Sequence, residues 1–298
     1  MNLFRHPMLP VGVLFCSSCL WGLSWLPLKY LAERGLSGAA LILVAYGSVA
    51  LVLLPILWRE RVAWRPQMIF LLMITLVGGL ANLAFASSLI YGDVIRAMAL
   101  FYLLPVWGIL GGRIFLQETL TPARLLALAL ALTGAFFLLG ATEIFNAPPR
   151  WIDLLAILAG LAFALNNLLF RATPQLPIAS KVSAVFVGCG LLAALVLASA
   201  FQHVPSTDIG ADTMTLAILF GLLGLLLATG ATQWAVTHLE AGRSAIIMVM
   251  ELVAAVISAA ILTQATLAPH EMLGASLILM ASLVEAFWGT EAEPAFGH

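Results

Sequence analysis

Polar residues and prolines interrupt this chain so as to leave ten apolar stretches, at 9–30, 38–58, 67–90, 94–116, 122–141, 151–171, 178–200, 213–237, 243–264 and 269–289. Each approaches the roughly 20 residues that a helix needs to cross the hydrocarbon core of a bilayer. They are too long and too uniformly apolar for barrel strands, which alternate over about ten residues, so helices are predicted throughout. The connections are short, the longest running from 201 to 212. The fold class is therefore an all-α polytopic membrane protein of about ten transmembrane helices.

Composition agrees with the pattern. Hydrophobic residues make up 63% of the 298 positions and charged residues 9%, against about a quarter charged in soluble domains. Ten crossings use nearly all of the length, leaving no room for a soluble domain. With a cytoplasmic amino terminus, nine cations fall on the inner side (Arg5, Arg59, Arg61, Arg65, Arg113, Arg124, Arg171, Lys181, Arg243) and four on the outer (Lys29, Arg34, Arg96, Arg150). That bias predicts a multi-pass protein with both termini cytoplasmic. The first stretch follows Arg5 and His6 but lacks a small-residue cleavage site behind a short core, so it reads as a retained helix rather than a secretory signal. Cys16, Cys19 and Cys189 all lie within spans; the Cys16-x-x-Cys19 spacing suits small apolar packing better than redox or metal chemistry.

Displacing the chain by 147 residues against itself aligns Arg96 with Arg243, Val106 with Val253, Ile114 with Ile261, Pro122 with Pro269 and Pro27 with Pro174. The same shift places Gln117-x-Thr119-Leu120 on Gln264-x-Thr266-Leu267. Two five-helix halves are predicted, 1–146 and 147–298. Because five is odd, the second half enters the membrane from the opposite side, which is the inverted repeat that secondary transporters use to build a midplane site with two access states.

The motifs carry a resemblance. Leu104-Pro105-Val106, then Phe115-Leu116-Gln117-Glu118-Thr119-Leu120-Thr121, then an apolar span with Gly134, resembles the EamA-type repeat of the drug/metabolite transporter superfamily. Trp21-Gly22-Leu23-Ser24 is similar to its first-helix signature. The second half is a degraded copy, with Leu252 in place of the usual proline and Ala265 in place of the usual glutamate. The resemblance implies a bacterial inner-membrane exporter of small metabolites, and general likeness points to aromatic and neutral amino acids, with drugs or organic cations as the alternative.

Candidate lining residues follow from helical spacing. Ser17, Trp21, Ser24 and Trp25 share a face of the first span, where they suit either a wet cavity or interfacial anchoring. Asn82 and Phe85 share a face of the third. The fourth carries Phe101, Tyr102 and Pro105, whose ring removes a hydrogen bond to Phe101 and makes Pro105, with Pro27, a candidate hinge. Phe163, Asn166, Asn167 and Phe170 line up on the sixth, where two amides in hydrocarbon need partners in protein or ligand. Thr229, Thr232 and Gln233 lie near one end of the eighth. On the ninth, Ser244, Met248, Glu251 and Ser258 share a face, and Glu251 is a carboxylate inside the apolar run from Ile246 to Leu262. A charge at that depth costs about 2.5–3.5 kcal/mol or more, so it faces a cavity or partner; substrate amine, proton and structural hydrogen bond all remain open for it.

All thirteen Lys and Arg residues sit at span ends or in loops, which disfavours phosphorylated substrates. The five histidines show no metal-ligand spacing, no G-x-x-x-x-G-K-[ST] loop is present, and no nucleophile–base pair stands out. An enzyme, a cofactor, a metal site and a nucleic-acid partner are not expected, and a passive channel is the weaker transport reading. Expected partners are a small-molecule substrate and membrane lipid, with a monomer as default.

Overall fold

The computed structural model describes residues 8–92, 94–140, 148–199, 209–264 and 266–288, and every regular element among them is helical. Ten helical passages follow in order. We label them α1 (Leu9–Leu23, continued by Trp25–Glu33), α2 (Gly38–Arg59), α3 (Met68–Tyr91), α4 (Val94–Phe101 and Leu104–Phe115) and α5 (Pro122–Leu138), then α6 (Trp151–Ala172), α7 (Ile178–Ala198), α8 (Ala211–Leu219, Phe220–Leu225 and Leu226–His238), α9 (Ala241–Met248 and Met250–Thr263) and α10 (Pro269–Trp288). Nine of these are long and apolar enough to cross a membrane; α5 is apolar but shorter, at 17 residues. The predicted span ends at 141, 200 and 289, and most of the 201–212 connection, lie outside the described residues.

The two-repeat reading has a backbone signature. Gln117 and Gln264, 147 positions apart, are the non-glycine residues with positive φ among the described residues, at 57° and 54°. Each ends the fourth helix of its half. After Gln117 the Glu118 amide returns to the Gly112 carbonyl at 3.0 Å, the six-residue closure of a helix C-terminus through a left-handed residue.

Helix breaks sit at equivalent places too. In α4 the helix is interrupted at Tyr102–Leu103, because Pro105 has no N–H for the Phe101 carbonyl. That carbonyl lies against Gly160 of α6, where a Cβ would stand 2.6 Å from the oxygen. The matching position in α9 is Val249, which separates its two segments although Leu252 replaces the proline. In α1 the break falls at Ser24, three residues before Pro27. α8 carries a break of another kind, a π-helical turn at Phe220–Leu225, which the sequence reading did not anticipate.

Small residues set the tightest crossings. Gly134 of α5 and Gly274 of α10 meet backbone to backbone, with a Cβ on Gly134 falling 2.8 Å from the Gly274 carbonyl oxygen. Gly188 of α7 lies directly on the Thr75 carbonyl of α3. Gly22 of α1 lies directly on the Glu251 carbonyl of α9 and 2.7 Å, measured from its would-be Cβ, from the Ala254 methyl.

The end of the bundle where α1 begins and α10 finishes holds a buried charge network. Arg124, 1% exposed, bridges Glu240 and Glu285, with its Nε 3.0 Å from Glu285 Oε1, and donates through Nη1 to the Thr119 carbonyl at 3.0 Å. Glu118 accepts from the amides of Ala241 and Gly242 at 2.8 and 3.3 Å, tying the α4–α5 turn to the start of α9. Burial pushes its carboxyl pKa up, while those two amides hold it down. Lys181, 0% exposed, donates to the carbonyls of Phe170 and Thr173 at 2.8 and 3.1 Å, closing the end of α6. The opposite end has Arg96 paired with Asp153 at 2.9 Å and an exposed Arg34–Asp212 pair.

Two stability predictions follow from the packing. Arg124→Leu strands two carboxylates in protein and should lower stability by about 3–5 kcal/mol, whereas Arg34→Ala should leave the thermal unfolding midpoint in detergent close to wild type; equal midpoints for the two variants would show that the network does not hold the bundle. Gly188→Val should force α3 and α7 apart and cost about 1–3 kcal/mol or more by the same assay, and an unchanged midpoint would contradict the close crossing.

Candidate functional site

The breaks in α4 and α9 adjoin a cavity of two neighbouring chambers. The larger, about 560 Å³, is lined by Ser18 and Trp21 of α1, Ala81, Asn82 and Phe85 of α3, Phe101 and Leu104 of α4, Phe163 of α6, Thr232 of α8, and Met248 and Glu251 of α9. The smaller, about 360 Å³, adds Tyr46 of α2, Gly78 of α3, Asn166 of α6, Val185 of α7, and Thr229 and Gln233 of α8. Trp21, Asn82, Phe163 and Thr232 border both.

The breaks in α4 and α9 each place flanking side chains on this space. Phe101 and Leu104 flank the interruption in α4, and Met248 and Glu251 flank the one in α9. Glu251 occupies the position that Leu104 holds in the first half, 147 residues earlier, and it lies in the first turn of Met250–Thr263. Backbone amides at such a restart point toward negative charge. It is the charged residue on the wall of the larger chamber. Beside its carboxylate lies the Tyr102 hydroxyl, which is buried and makes no hydrogen bond of ordinary geometry.

One wall is aromatic. The Phe85 and Phe101 rings are 4.4 Å apart by centroids, and Phe163 meets Phe101 edge-on at 5.9 Å. Pairs of this kind contribute about 0.5–1.5 kcal/mol beyond burial, so the wall is a rigid apolar surface. The opposite wall is made of neutral polar groups. Tyr46 donates to Asn82 Oδ1 at 2.9 Å, Asn82 Nδ2 donates to the Gly78 carbonyl at 2.9 Å, and Thr232 donates to Ser17 at 3.0 Å. Gln233 Nε2 reaches Asn167 Oδ1 at 3.3 Å, and Asn167 Nδ2 reaches the Met248 sulfur at 3.6 Å. Asn166 Oδ1, Thr229 Oγ1 and Gln233 Oε1 are buried and make no protein hydrogen bond. Leaving such groups unpaired costs about 1–3 kcal/mol each.

The sequence-derived candidates therefore divide. Trp21, Asn82, Phe85, Phe101, Phe163, Asn166, Gln233, Met248 and Glu251 border the chambers. Asn167 and Tyr102 stand behind the wall, the first holding Gln233 and Met248, the second beside Glu251. Trp25 points elsewhere: its indole N–H donates to Ser258 at 3.0 Å and fastens α1 to α9. Ser24 and Pro27 line a separate groove of about 530 Å³ between α1 and the π-helical turn of α8, walled by exposed leucines including Leu23, Leu223 and Leu227. Trp21 borders that groove as well as the two chambers. Pro105 is buried at the α4 break and Pro27 lies just past the α1 break. Phe170 is fully buried, with Lys181 Nζ 5.0 Å from its ring.

Sequence reasoning missed Tyr46, Ser18, Gly78 and Leu104. For Tyr46 a signal existed: a phenol in mid-span must find a polar partner. Gly78 and Leu104 carry no chemistry that a sequence could flag. The described residues hold no group of three or more His, Cys, Asp or Glu placed to share a metal ion. Cys16 and Cys19 are free thiols on α1, exposed and half-buried.

Comparison with known proteins fits this geometry. A search of curated protein sequences finds no match. A solved crystal structure superposes with a TM-score of 0.75 at 16% identity, covering 97% of this chain and 99% of that one, which establishes the fold. The model of the EamA-like transporter family matches residues 8–140 and again 150–285, once for each five-helix half. With two such repeats across nearly its whole length and a cavity where they meet, the chain belongs to the EamA-like transporter family.

Proposed function

We propose that this transporter exports amino acids, aromatic and neutral ones foremost, across the bacterial inner membrane by alternating access through the two-chambered cavity. The observation that carries the reading is the composition of the cavity wall. An aromatic surface from Phe85, Phe101 and Phe163 faces amide and hydroxyl groups, with Glu251 as the charge and no Lys or Arg on either chamber. Such a wall suits a small solute that has an apolar body and a polar head carrying N–H donors. It does not suit a phosphate, which calls for a cation.

The repeat supplies the motion. A solute seated where two inverted halves meet can be reached from either side when one half rocks against the other. The breaks at Ser24, Tyr102 and Val249, with Pro27 and Pro105 next to two of them, give hinges beside the cavity. The positive-charge bias of nine against four supports cytoplasmic termini, and one chain contains both halves, so the monomer is taken as the working unit. The same acidic and aromatic wall favours organic cations as the second reading, since Glu251 would pair with a fixed positive charge.

The test is flux in liposomes holding the purified protein, with radiolabelled tryptophan, phenylalanine, methionine and threonine, with and without a pH gradient. Saturable flux of at least some of these is expected, and Glu251→Gln should lower it at least about tenfold or make it insensitive to the gradient. Flux of organic cations in the absence of any amino-acid flux would replace the first reading by the second.

A further inference from the structure

The smaller chamber holds polar chemistry that the transport reading leaves unused. Asn166, Thr229 and Gln233, 2%, 6% and 3% exposed, come from two helices, with Thr229 and Gln233 one turn apart on α8. Their oxygens Oδ1, Oγ1 and Oε1 have no hydrogen-bond partner in the protein. Three neighbouring donors are committed elsewhere: Gln233 Nε2 to Asn167, Asn82 Nδ2 to the Gly78 carbonyl, and the Thr232 hydroxyl to Ser17. Three buried oxygen atoms thus keep open acceptor capacity on this one chamber. No ionisable acid or base borders this chamber apart from the Tyr46 phenol, whose proton is given to Asn82.

We infer that the smaller chamber is a subsite for a primary ammonium group, whose three N–H bonds would each meet one of these three oxygens. This rests on the transport reading and assigns the two ends of the solute. The apolar body would cross Trp21 and Phe163, which border both chambers, and lie against Phe85 and Phe101 in the larger one. Amide and hydroxyl oxygens recognise the N–H bonds rather than the charge alone, because each is a directional acceptor. Glu251 faces the other chamber and contributes a longer-range attraction that any cation would feel. Selection for a primary amine is therefore placed on α6 and α8, not on the carboxylate of α9.

The experiment measures equilibrium binding to the purified full-length protein of L-phenylalanine, its N,N,N-trimethyl derivative and L-3-phenyllactate. The trimethyl compound keeps the charge and loses every N–H; phenyllactate puts a hydroxyl in place of the ammonium. Phenylalanine should bind at least about tenfold more tightly than either, since a site built to pair N–H donors rejects analogues that lack them. Thr229→Val and Gln233→Leu should each weaken phenylalanine about tenfold and leave phenyllactate unchanged, a pattern that loss of folding cannot produce. Glu251→Gln should leave the preference for phenylalanine over its trimethyl derivative in place. Equal wild-type affinity for phenylalanine and its trimethyl derivative, or a preference that survives in both Thr229→Val and Gln233→Leu, would overturn the assignment and leave the chamber to water. Amino-acid flux without this discrimination sinks the subsite alone, whereas absence of any amino-acid flux or binding sinks the amino-acid reading with it.

Discussion

A peptide group released from its helix inside hydrocarbon finds no water to bond, so each interruption in these helices must be covered by the protein itself. Pro105 frees the Phe101 carbonyl, and the missing side chain of Gly160 lets α6 lay its backbone against that oxygen. Gly22, two residues before the break in α1, lays α1 on α9 at the Glu251 carbonyl. Covering the breaks draws α1, α4, α6 and α9 together at one depth, and the side chains next to the breaks then point into the space between them. Trp21, Phe101, Leu104, Met248 and Glu251 all stand within three residues of an interruption. The cavity is where it is because that is where the backbone had to be mended.

The two ends of the bundle are closed by different physics. Where α1 begins, Arg124, Lys181 and Arg243 are all sunk in protein, and each meets carboxylates or carbonyl oxygens, with Arg243 Nη2 2.9 Å from the Ala286 carbonyl. Charges taken from water need that degree of satisfaction to be tolerated. At the other end the Arg96–Asp153 pair is buried but the Arg34–Asp212 pair lies in solvent, where an ion pair is worth little. The repeats are also unequal in sequence: the first half has Glu118 to hold the start of α9, and the position 147 residues later is Ala265. Symmetry of the fold is therefore not matched by symmetry of the contacts that close its two ends.

How much of this the sequence disclosed depended on whether the signal was local. Span positions were legible because apolar length is itself the constraint, and the helix stop at Gln117 and Gln264 was visible as a repeated motif, though not as a left-handed residue. The break at Pro105 was legible because proline announces it. Its partner at Val249 was not, since Leu252 has no such chemistry. The π-helical turn at Phe220–Leu225 left no mark for the same reason. Helical counting puts Ser24 and Trp25 beside Trp21, but it does not show that the Trp25 indole is taken by Ser258 of α9 or that Ser24 meets Trp21 on the separate groove instead of in the chambers. Tyr46 and Leu104 enter the cavity only through the arrangement of α2 and α4 against other helices, which no single-helix spacing contains.

The distribution of unpaired groups between the halves bears on how a bound solute could drive a conformational change. The hydroxyl and amide side chains that the first half contributes to the chambers are bonded within the protein: Ser18 to the Leu14 carbonyl, Tyr46 to Asn82, and Asn82 to the Gly78 carbonyl. The unpaired oxygens on the smaller chamber, and the Glu251 carboxylate on the larger, all belong to the second half. Rigid aromatic surface comes chiefly from the first, through Trp21, Phe85 and Phe101. A solute with a polar head and an apolar body would accordingly lie across the boundary, its head on one repeat and its body on the other. A ligand shifts a conformational equilibrium only through contacts that differ between the states. Under the proposed alternating access, one that touched a single half would ride with it unchanged, whereas one that spans both would have its contacts made or broken. Amphipathic shape would thus serve the proposed mechanism as well as the proposed binding.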